Sequence, residues 1–330
     1  MGRPRAVITV NLDIAGRRPS AEIFDAAGID WEHRYGAPDW LDDDTRESLS
    51  GADAILAGAE RLDESTMADA DRLKVVCRNG VGYDRVDVDY CTRRGIVVCY
   101  TPGVMADAVA DLAMGLLLAA VRGLSAQDRH VKAGGYEAFM GEDLASMTLG
   151  LLGCGRIGAE VVRRALGFRM RVQVHDPWVD PDRLREIGAE PVDLDGLLAG
   201  SDAVSLHLPM SQENAGIVDA GFLRRMRPGS WLINTARGGL VDEPALIAAL
   251  EAGHLAGAGL DCQATEPPVG DSARLVALDR VVATPHSGSN TVTARTRMAE
   301  LGAREIVAVL EGRRPRNVVN PEVLEKVGLA

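Results

Sequence analysis

Three segments in the second half of the chain carry a cation, a carboxylate and an imidazole. They are Asn234-Thr235-Ala236-Arg237-Gly238-Gly239, Asp261-Cys262-Gln263-Ala264-Thr265-Glu266-Pro267 and Thr284-Pro285-His286-Ser287-Gly288-Ser289. Each lies at or just beyond an apolar run that reads as a β-strand, where the crevice of a doubly wound sheet opens. A cation for a carbonyl and a carboxylate, with an acid that titrates near neutrality, is the set that reduction of a 2-keto acid requires.

A fourth segment, Gly153-Cys154-Gly155-Arg156-Ile157-Gly158, follows the run Leu149-Gly150-Leu151-Leu152 and opens a helical stretch. This is G-x-G-x-x-G at a strand-to-helix junction. Gly153 permits a tight turn, Gly155 leaves bare backbone for a pyrophosphate, and Gly158 allows close packing of helix on strand. The amides of Arg156 and Ile157 then begin a helix whose N-terminus suits phosphate. In a chain with 36 glycines the pattern alone would be weak, but Asp176 ends the next strand, 18 residues beyond Gly158. A carboxylate there accepts from both adenosine ribose hydroxyls and repels a 2′-phosphate, so NAD is expected and not NADP.

The elements that must hold these segments follow from the apolar pattern. Ala6–Val10, Ala54–Ala57, Lys74–Cys77 and Ile96–Cys99 are strand-like throughout their length, as a parallel sheet covered on both faces demands. From Thr148 onward a second series appears, with strands at Leu149–Leu152, Val172–Val174, Ala203–Leu208, Ser230–Ile233, Ala256–Leu260 and Arg280–Ala283, alternating with helices. Six such strands describe a doubly wound α/β sheet. Long helices span about Val104 to Arg122, stopping near Gly123, and Thr293 to Leu310.

Composition sets the bounds. The 330 residues suggest two domains, and 46% apolar with 25% charged residues marks an ordinary globular protein. A net charge of −12 repels phosphate backbones and anionic lipid, which argues against nucleic acid and membrane partners. The stretch Leu112–Val121 is shorter than a bilayer span, and no signal-peptide core follows the first residues. Five cysteines without a C-x-x-C pair suggest reduced thiols in a cytoplasm, and no metal site is expected.

Taken with further motifs, the chain resembles the NAD-dependent D-isomer-specific 2-hydroxyacid dehydrogenases, the family of D-3-phosphoglycerate dehydrogenase and glyoxylate/hydroxypyruvate reductase. Those motifs are Arg78-Asn79-Gly80-Val81-Gly82-Tyr83-Asp84, Thr101-Pro102-Gly103, Val109-Ala110-Asp111, His207-Leu208-Pro209 and Asn320-Pro321-Glu322-Val323. The resemblance implies a Rossmann NAD-binding domain, residues 103–292, inserted into a flavodoxin-like substrate (lid) domain made of 1–102 and 293–330. It also implies that the lid closes over the cofactor domain during hydride transfer, and that the chain forms a homodimer through the Val104 helix.

The same resemblance assigns roles. His286 matches the general acid/base, Glu266 its partner, and Arg237 the residue that binds substrate and polarises its carbonyl. A carboxylate beside His286 favours the imidazolium form, and the fork of Arg237 suits a keto acid. Thr235, Ala236, Pro209 and Asp261 match nicotinamide contacts, while the backbone around Gly80, Val81 and Gly82 matches the loop that takes the substrate carboxylate. Arg78 has two readings of equal weight, an ion pair with Asp84 or Asp87 and a contact to an anionic substrate tail. His207 is a further candidate for ligand contact, whereas His33, His130 and His254 read as solvated.

Two departures bear on substrate. Cys262-Gln263 stands where relatives commonly carry Val-Phe, and the run Ala57-Gly58-Ala59-Glu60-Arg61 lacks the Arg that phosphoglycerate enzymes often place there. The expectation is therefore interconversion of a small 2-keto acid with its D-2-hydroxy acid. Alternatives are a phosphoglycerate-type or phosphono-acid dehydrogenase and, from another class, an NAD-sensing corepressor-like interaction protein.

Overall fold

The computed structural model of the chain describes residues 2–34 and 42–329. Backbone contacts divide it into two compact units, Met1–Met105 with Asn290–Ala330, and Ala106–Ser289.

Among the described residues the first unit holds five strands, β1 (Arg5–Ile8), β2 (Asp30–His33), β3 (Ala54–Ala57), β4 (Val75–Arg78) and β5 (Val97–Cys99). All pair in parallel, in the order β2-β1-β3-β4-β5. This is the flavodoxin-like order. Alternation along the strands splits the apolar residues between two cores. Ala54 and Leu56 join Ile8, Val75 and Cys77 on one face, while Ile55 and Ala57 join Val7, Val76 and Val98 on the other. Both faces are covered, so no strand position in β3 can be polar.

β2 is not among the runs expected from the sequence. Asp30-Trp31-Glu32-His33 has one apolar residue and no buried position, which an edge strand tolerates because it pairs with β1 alone. The helix Val292–Leu310 belongs to this unit and covers the first core. It lies directly on the sheet at Gly302, where a Cβ would stand 2.6 Å from Leu56 Cδ1. Beyond it, Asn320 accepts from the Val98 amide at 2.8 Å and donates to the Ile96 carbonyl at 3.0 Å, tying the tail to β5.

The second unit holds β6 (Thr148–Leu152), β7 (Arg171–His175), β8 (Glu190–Pro191), β9 (Ala203–Leu206), β10 (Ser230–Asn234), β11 (Leu255–Leu260) and β12 (Val281–Ala283). The order is β12-β11-β10-β9-β6-β7-β8, again all parallel. The expected six strands become seven because the two-residue β8 adds an edge too short for any apolar pattern to register. Strand order reverses between β6 and β9, the position where a doubly wound sheet opens a crevice at its carboxyl edge.

The helix Ala106–Arg122 covers one face together with Arg156–Gly167. At Gly259 in β11 a Cβ would lie 2.9 Å from Leu116 Cβ, so this helix packs against bare strand backbone. Arg164 fixes the two helices to each other, its guanidinium bonding Asp111 at 2.5 Å and Asp107 at 3.0 Å. The helix ends where expected, but a second one, Leu124–Lys132, follows Gly123 at an angle of 62°. It was not legible because none of its residues is buried, and without a buried face there is no apolar stripe. Among the described residues no single helix is long and apolar enough to cross a membrane. All five cysteines are free and buried.

Candidate active site

The carboxyl edge of the second sheet collects every element singled out in that half of the chain. β6 runs into Gly153, β7 into Asp176, β9 into His207, β10 into Thr235, β11 into Asp261 and β12 into Thr284.

The glycine turn matches its chemistry residue by residue. Gly153 has φ +92°, and a Cβ there would lie 2.9 Å from the His207 carbonyl oxygen. Gly158 packs so closely that a Cβ would meet the Gly153 carbonyl oxygen at 2.8 Å. At Gly155, by contrast, a Cβ would have no described atom within 4 Å, so the space above the turn is open. Gly155 is also the helix N-cap and offers no side chain to the first-turn amides, leaving Arg156 and Ile157 able to donate outward. Asp176 braces the turn, with Oδ2 accepting from the Cys154 amide at 2.7 Å and Oδ1 from the Trp178 amide at 3.0 Å. Each oxygen keeps capacity for a further donor.

Between β9 and β10, His207 is held by Ser205, with Oγ 2.9 Å from Nε2. Burial lowers its pKa from 6.5 to about 4, so the ring is neutral at pH 7. Between pH 6.5 and pH 4 the unfolded chain binds this proton and the folded one does not, so stability falls on acidification, by up to about 3 kcal/mol. Urea unfolding of wild type beside His207→Gln checks this, the variant losing that part of the acid sensitivity. Pro209 follows on the exposed side, its carbonyl accepting from Asn214 at 2.9 Å.

The catalytic candidates are brought together. Nδ1 of His286 lies 2.8 Å from Glu266 Oε2, and Glu266 Oε1 accepts from the Gln263 amide at 3.1 Å. Burial opposes ionisation of Glu266, but the bond to His286, the Gln263 amide and the charge of Arg237 outweigh it and hold the carboxyl below its usual range. Glu266 is thus an anion that fixes Nδ1 and leaves Nε2 for another partner. His286 itself has φ +49°, a left-handed backbone that a non-glycine residue adopts only when its surroundings impose it. Its amide donates to the carbonyls of Asp261 at 2.8 Å and Thr284 at 3.0 Å.

Asp261, expected to meet the nicotinamide, is 2% exposed and spends its carboxylate on this same turn. Oδ1 accepts from Thr284 Oγ1 at 2.6 Å and the Ser287 amide at 2.8 Å, and Oδ2 from the Gly288 amide at 2.8 Å. Only Oδ2 retains room for a further donor, so its first role here is to build the His286 turn.

The Arg237 loop is shaped by Asn234, which sequence reading did not single out. Buried at the end of β10, Asn234 accepts from the Ala236 amide at 3.0 Å and donates to the Arg237 carbonyl at 2.8 Å. Arg237 Nη1 donates to the Ala236 carbonyl at 2.8 Å. Next to it, a Cβ on Gly238 would fall 2.0 Å from the Gln263 carbonyl group, so only glycine lets the Arg237 and Glu266 loops touch. The Gly238-Gly239 pair was the available signal. Thr235 Oγ1 is buried without a hydrogen-bond partner among the described residues, as expected of a group awaiting a ligand. With the open, uncapped glycine turn, this fits a bound dinucleotide. Cys262 and Gln263 are themselves buried, with Cys262 Sγ 3.7 Å from the Asn234 carbonyl oxygen, so they lie beneath the loop and do not line its surface.

Of the histidines read as solvated, His33 is exposed and His130 and His254 are half-buried, and each is bonded to the chain. His130 pairs with Glu137, His254 Nε2 lies 2.9 Å from the Leu223 carbonyl, and His33 Nε2 lies 3.0 Å from the Val10 carbonyl.

The remaining candidates lie in the first unit. Arg78 ends β4, and its Nε donates to the Gly82 carbonyl at 3.2 Å across the loop that contains Gly80 and Val81. The Gly80 carbonyl accepts from the Thr101 amide at 3.0 Å. Asp87 is occupied as the N-cap of the helix Val88–Arg94, accepting from the Tyr90 amide at 2.8 Å.

Residues 114–288 match the family model described as "D-isomer specific 2-hydroxyacid dehydrogenase, NAD binding domain". A glyoxylate reductase of Thermococcus litoralis is 41% identical over 288 residues, covering 84% of this chain and 86% of its own. A D-3-phosphoglycerate dehydrogenase of Archaeoglobus fulgidus is 39% identical over 273 residues, 82% of this chain and 52% of its own. Among solved structures, the D-lactate dehydrogenase of Aquifex aeolicus complexed with NAD and lactic acid superposes with a TM-score of 0.82 at 28% identity, covering 93% of this chain and 96% of that one. Such relatives do not favour the NAD-sensing alternative. The chain therefore belongs to the D-isomer specific 2-hydroxyacid dehydrogenases, oxidoreductases that move hydride between NAD(H) and 2-keto or 2-hydroxy acids.

Proposed function

We propose that the chain reduces a small 2-keto acid without a phosphoryl group, such as glyoxylate to the achiral glycolate or hydroxypyruvate to its D-2-hydroxy acid. The observation that carries this reading is the His286 to Glu266 bond of 2.8 Å, with the charge of Arg237 felt at the same carboxylate. Glu266 holds Nδ1, so His286 presents Nε2–H to the keto oxygen and delivers its proton there as the alcohol forms. Arg237 binds the substrate carboxylate and neutralises charge that develops on the keto oxygen. NADH, when bound, supplies the hydride to the keto carbon.

Gly153, Gly155, Arg156, Ile157 and Gly158 are assigned to the pyrophosphate, Asp176 to the adenosine ribose, and Thr235, Ala236, Pro209 and Asp261 to the nicotinamide side. The amides of Gly80, Val81 and Gly82 are assigned to the substrate carboxylate. The bond from Arg78 to the Gly82 carbonyl supports a role in shaping that loop over one in binding a phosphoryl group.

Keto acids offered in pairs, with and without a phosphoryl group, test the substrate class by NADH oxidation. The unphosphorylated member of each pair is expected to have the higher kcat/KM, and a consistent preference for the phosphorylated one would overturn the assignment. Asp176→Ala is expected to raise the Kd for NADH about tenfold and to narrow the preference over NADPH, since it removes a ribose acceptor together with the charge that repels a 2′-phosphate. Fluorescence titration with both cofactors measures it.

The proposal extends to a cytoplasmic homodimer. Tyr136 is 93% and Met140 98% exposed, with Leu124, Val131 and Phe139 also exposed nearby in sequence, an apolar set that supports burial against a second copy. The five buried free thiols support a reducing compartment. Light scattering should give twice 35.1 kDa, and Met140→Glu with Tyr136→Glu should halve it. A wild type of 35.1 kDa would contradict the dimer.

A further inference from the structure

Glu243 is a carboxylate buried to 6% exposure at the start of the helix Glu243–Glu251, and the mechanism above does not use it. It does not cap its own helix. That task falls to Asp242, which accepts from the Ala245 amide at 3.1 Å. Glu243 reaches instead into the loop that carries Glu266. Oε1 accepts from the Ala264 amide at 2.8 Å, and Oε2 accepts from Ser272 Oγ at 2.6 Å. Ser272, 1% exposed, uses the same oxygen to accept from the Thr265 amide at 3.1 Å. Two consecutive backbone amides immediately before Glu266 are therefore held by one buried pair.

This arrangement suits a carboxylate. Two donors, an amide and a hydroxyl, converge on it, and an ionised carboxyl offers acceptors at both ends. A buried carboxylate costs desolvation unless it is fully bonded, so the loop is held by a group that is itself costly to misplace. The neighbouring close approach of Gly238 to Gln263 fixes the other side of the same loop. With Gln263 held on one side and Ala264 and Thr265 on the other, the direction in which Glu266 leaves the backbone is determined.

We propose that Glu243 and Ser272 form a positioning pair that sets Glu266 against His286, and so aligns the proton donor for the keto oxygen. This rests on the catalytic roles proposed above for His286 and Glu266. Neither Glu243 nor Ser272 touches substrate or cofactor in this account. Their effect passes through the Ala264 and Thr265 amides to Glu266, then to Nδ1 of His286.

The expected kinetic result is a split. Glu243→Ala should lower kcat about tenfold, as a small misplacement of a reacting group does, with Kd for NADH changed less than twofold. Ser272→Ala should lower kcat several-fold, and Glu243→Gln, which keeps shape and one acceptor, should restore most of the activity lost in Glu243→Ala. The direct readout needs no turnover: the ring 15N resonances of His286, in protein labelled at histidine and assigned by loss in His286→Gln. In Glu243→Ala with NADH bound, the Nδ1 signal should move toward its position in Glu266→Gln. An Nδ1 signal unchanged from wild type would overturn the positioning role, whatever the rates. A wild type that reduces no 2-keto acid would instead overturn the catalytic reading, while the resonance still decides whether the pair sets Glu266.

Discussion

His286→Ala is expected to lower kcat for keto-acid reduction by about 10³-fold while leaving the Kd for NADH within about twofold of wild type. The ring is the group in the constellation assigned to donate a proton to the keto oxygen and to take it back in the reverse direction. Its partner Glu266 accepts hydrogen bonds but holds no proton to give, because its carboxyl lies below the usual range. The glycine turn and Asp176 are unaffected by the change, so cofactor binding should persist. Stopped-flow oxidation of bound NADH separates the two quantities. Glu266→Gln should show a smaller loss, about 10- to 100-fold, because it keeps a side chain at Nδ1 but removes the charge.

Arg237→Lys should cost about 10²-fold in kcat/KM, and more in that ratio than in kcat alone. Lysine keeps the charge but loses the planar fork, so it cannot hold a carboxylate and a keto oxygen at once. The backbone that aims this residue does not depend on its side chain. Asn234 sets the loop through the Ala236 amide and the Arg237 carbonyl, and Gly238 seats it on Gln263. The variant should therefore fold normally, and a melting temperature near that of wild type would assign the loss to chemistry. Steady-state kinetics over a range of keto-acid concentrations measures both terms.

Much of the fold was legible because the strands of both sheets are covered on two faces. β3 and β5 announce themselves as short unbroken apolar runs, and β4 and β9 as apolar runs with one polar residue each, Arg78 and Ser205. β2 and β8, at sheet edges, and the helix Leu124–Lys132, with no buried residue, carry no such pattern. The chemical residues were legible for a related reason, since strand ends in a doubly wound sheet converge on one edge and their side chains are the ones that stand out as polar after an apolar run.

What the sequence did not disclose is how those residues are held. Beside the ligand contact expected of it, Asp261 anchors the His286 turn. Asn234, Glu243 and Ser272 give no local signal, because the loop groups they hold are backbone amides and carbonyls, in the case of Glu243 and Ala264 21 residues apart. Hydrogen bonds to backbone depend on where the chain passes and not on which residue passes there, so spacing cannot reveal them.

The measurement closest to the central claim is single-turnover NADH oxidation by wild type and His286→Ala, mixed with glyoxylate or hydroxypyruvate, with chiral identification of the hydroxypyruvate product. The account predicts rapid oxidation by wild type to the D-2-hydroxy acid, and a rate about 10³-fold lower in a variant that still binds NADH. Equal rates in the two proteins, or an L-product, would contradict it.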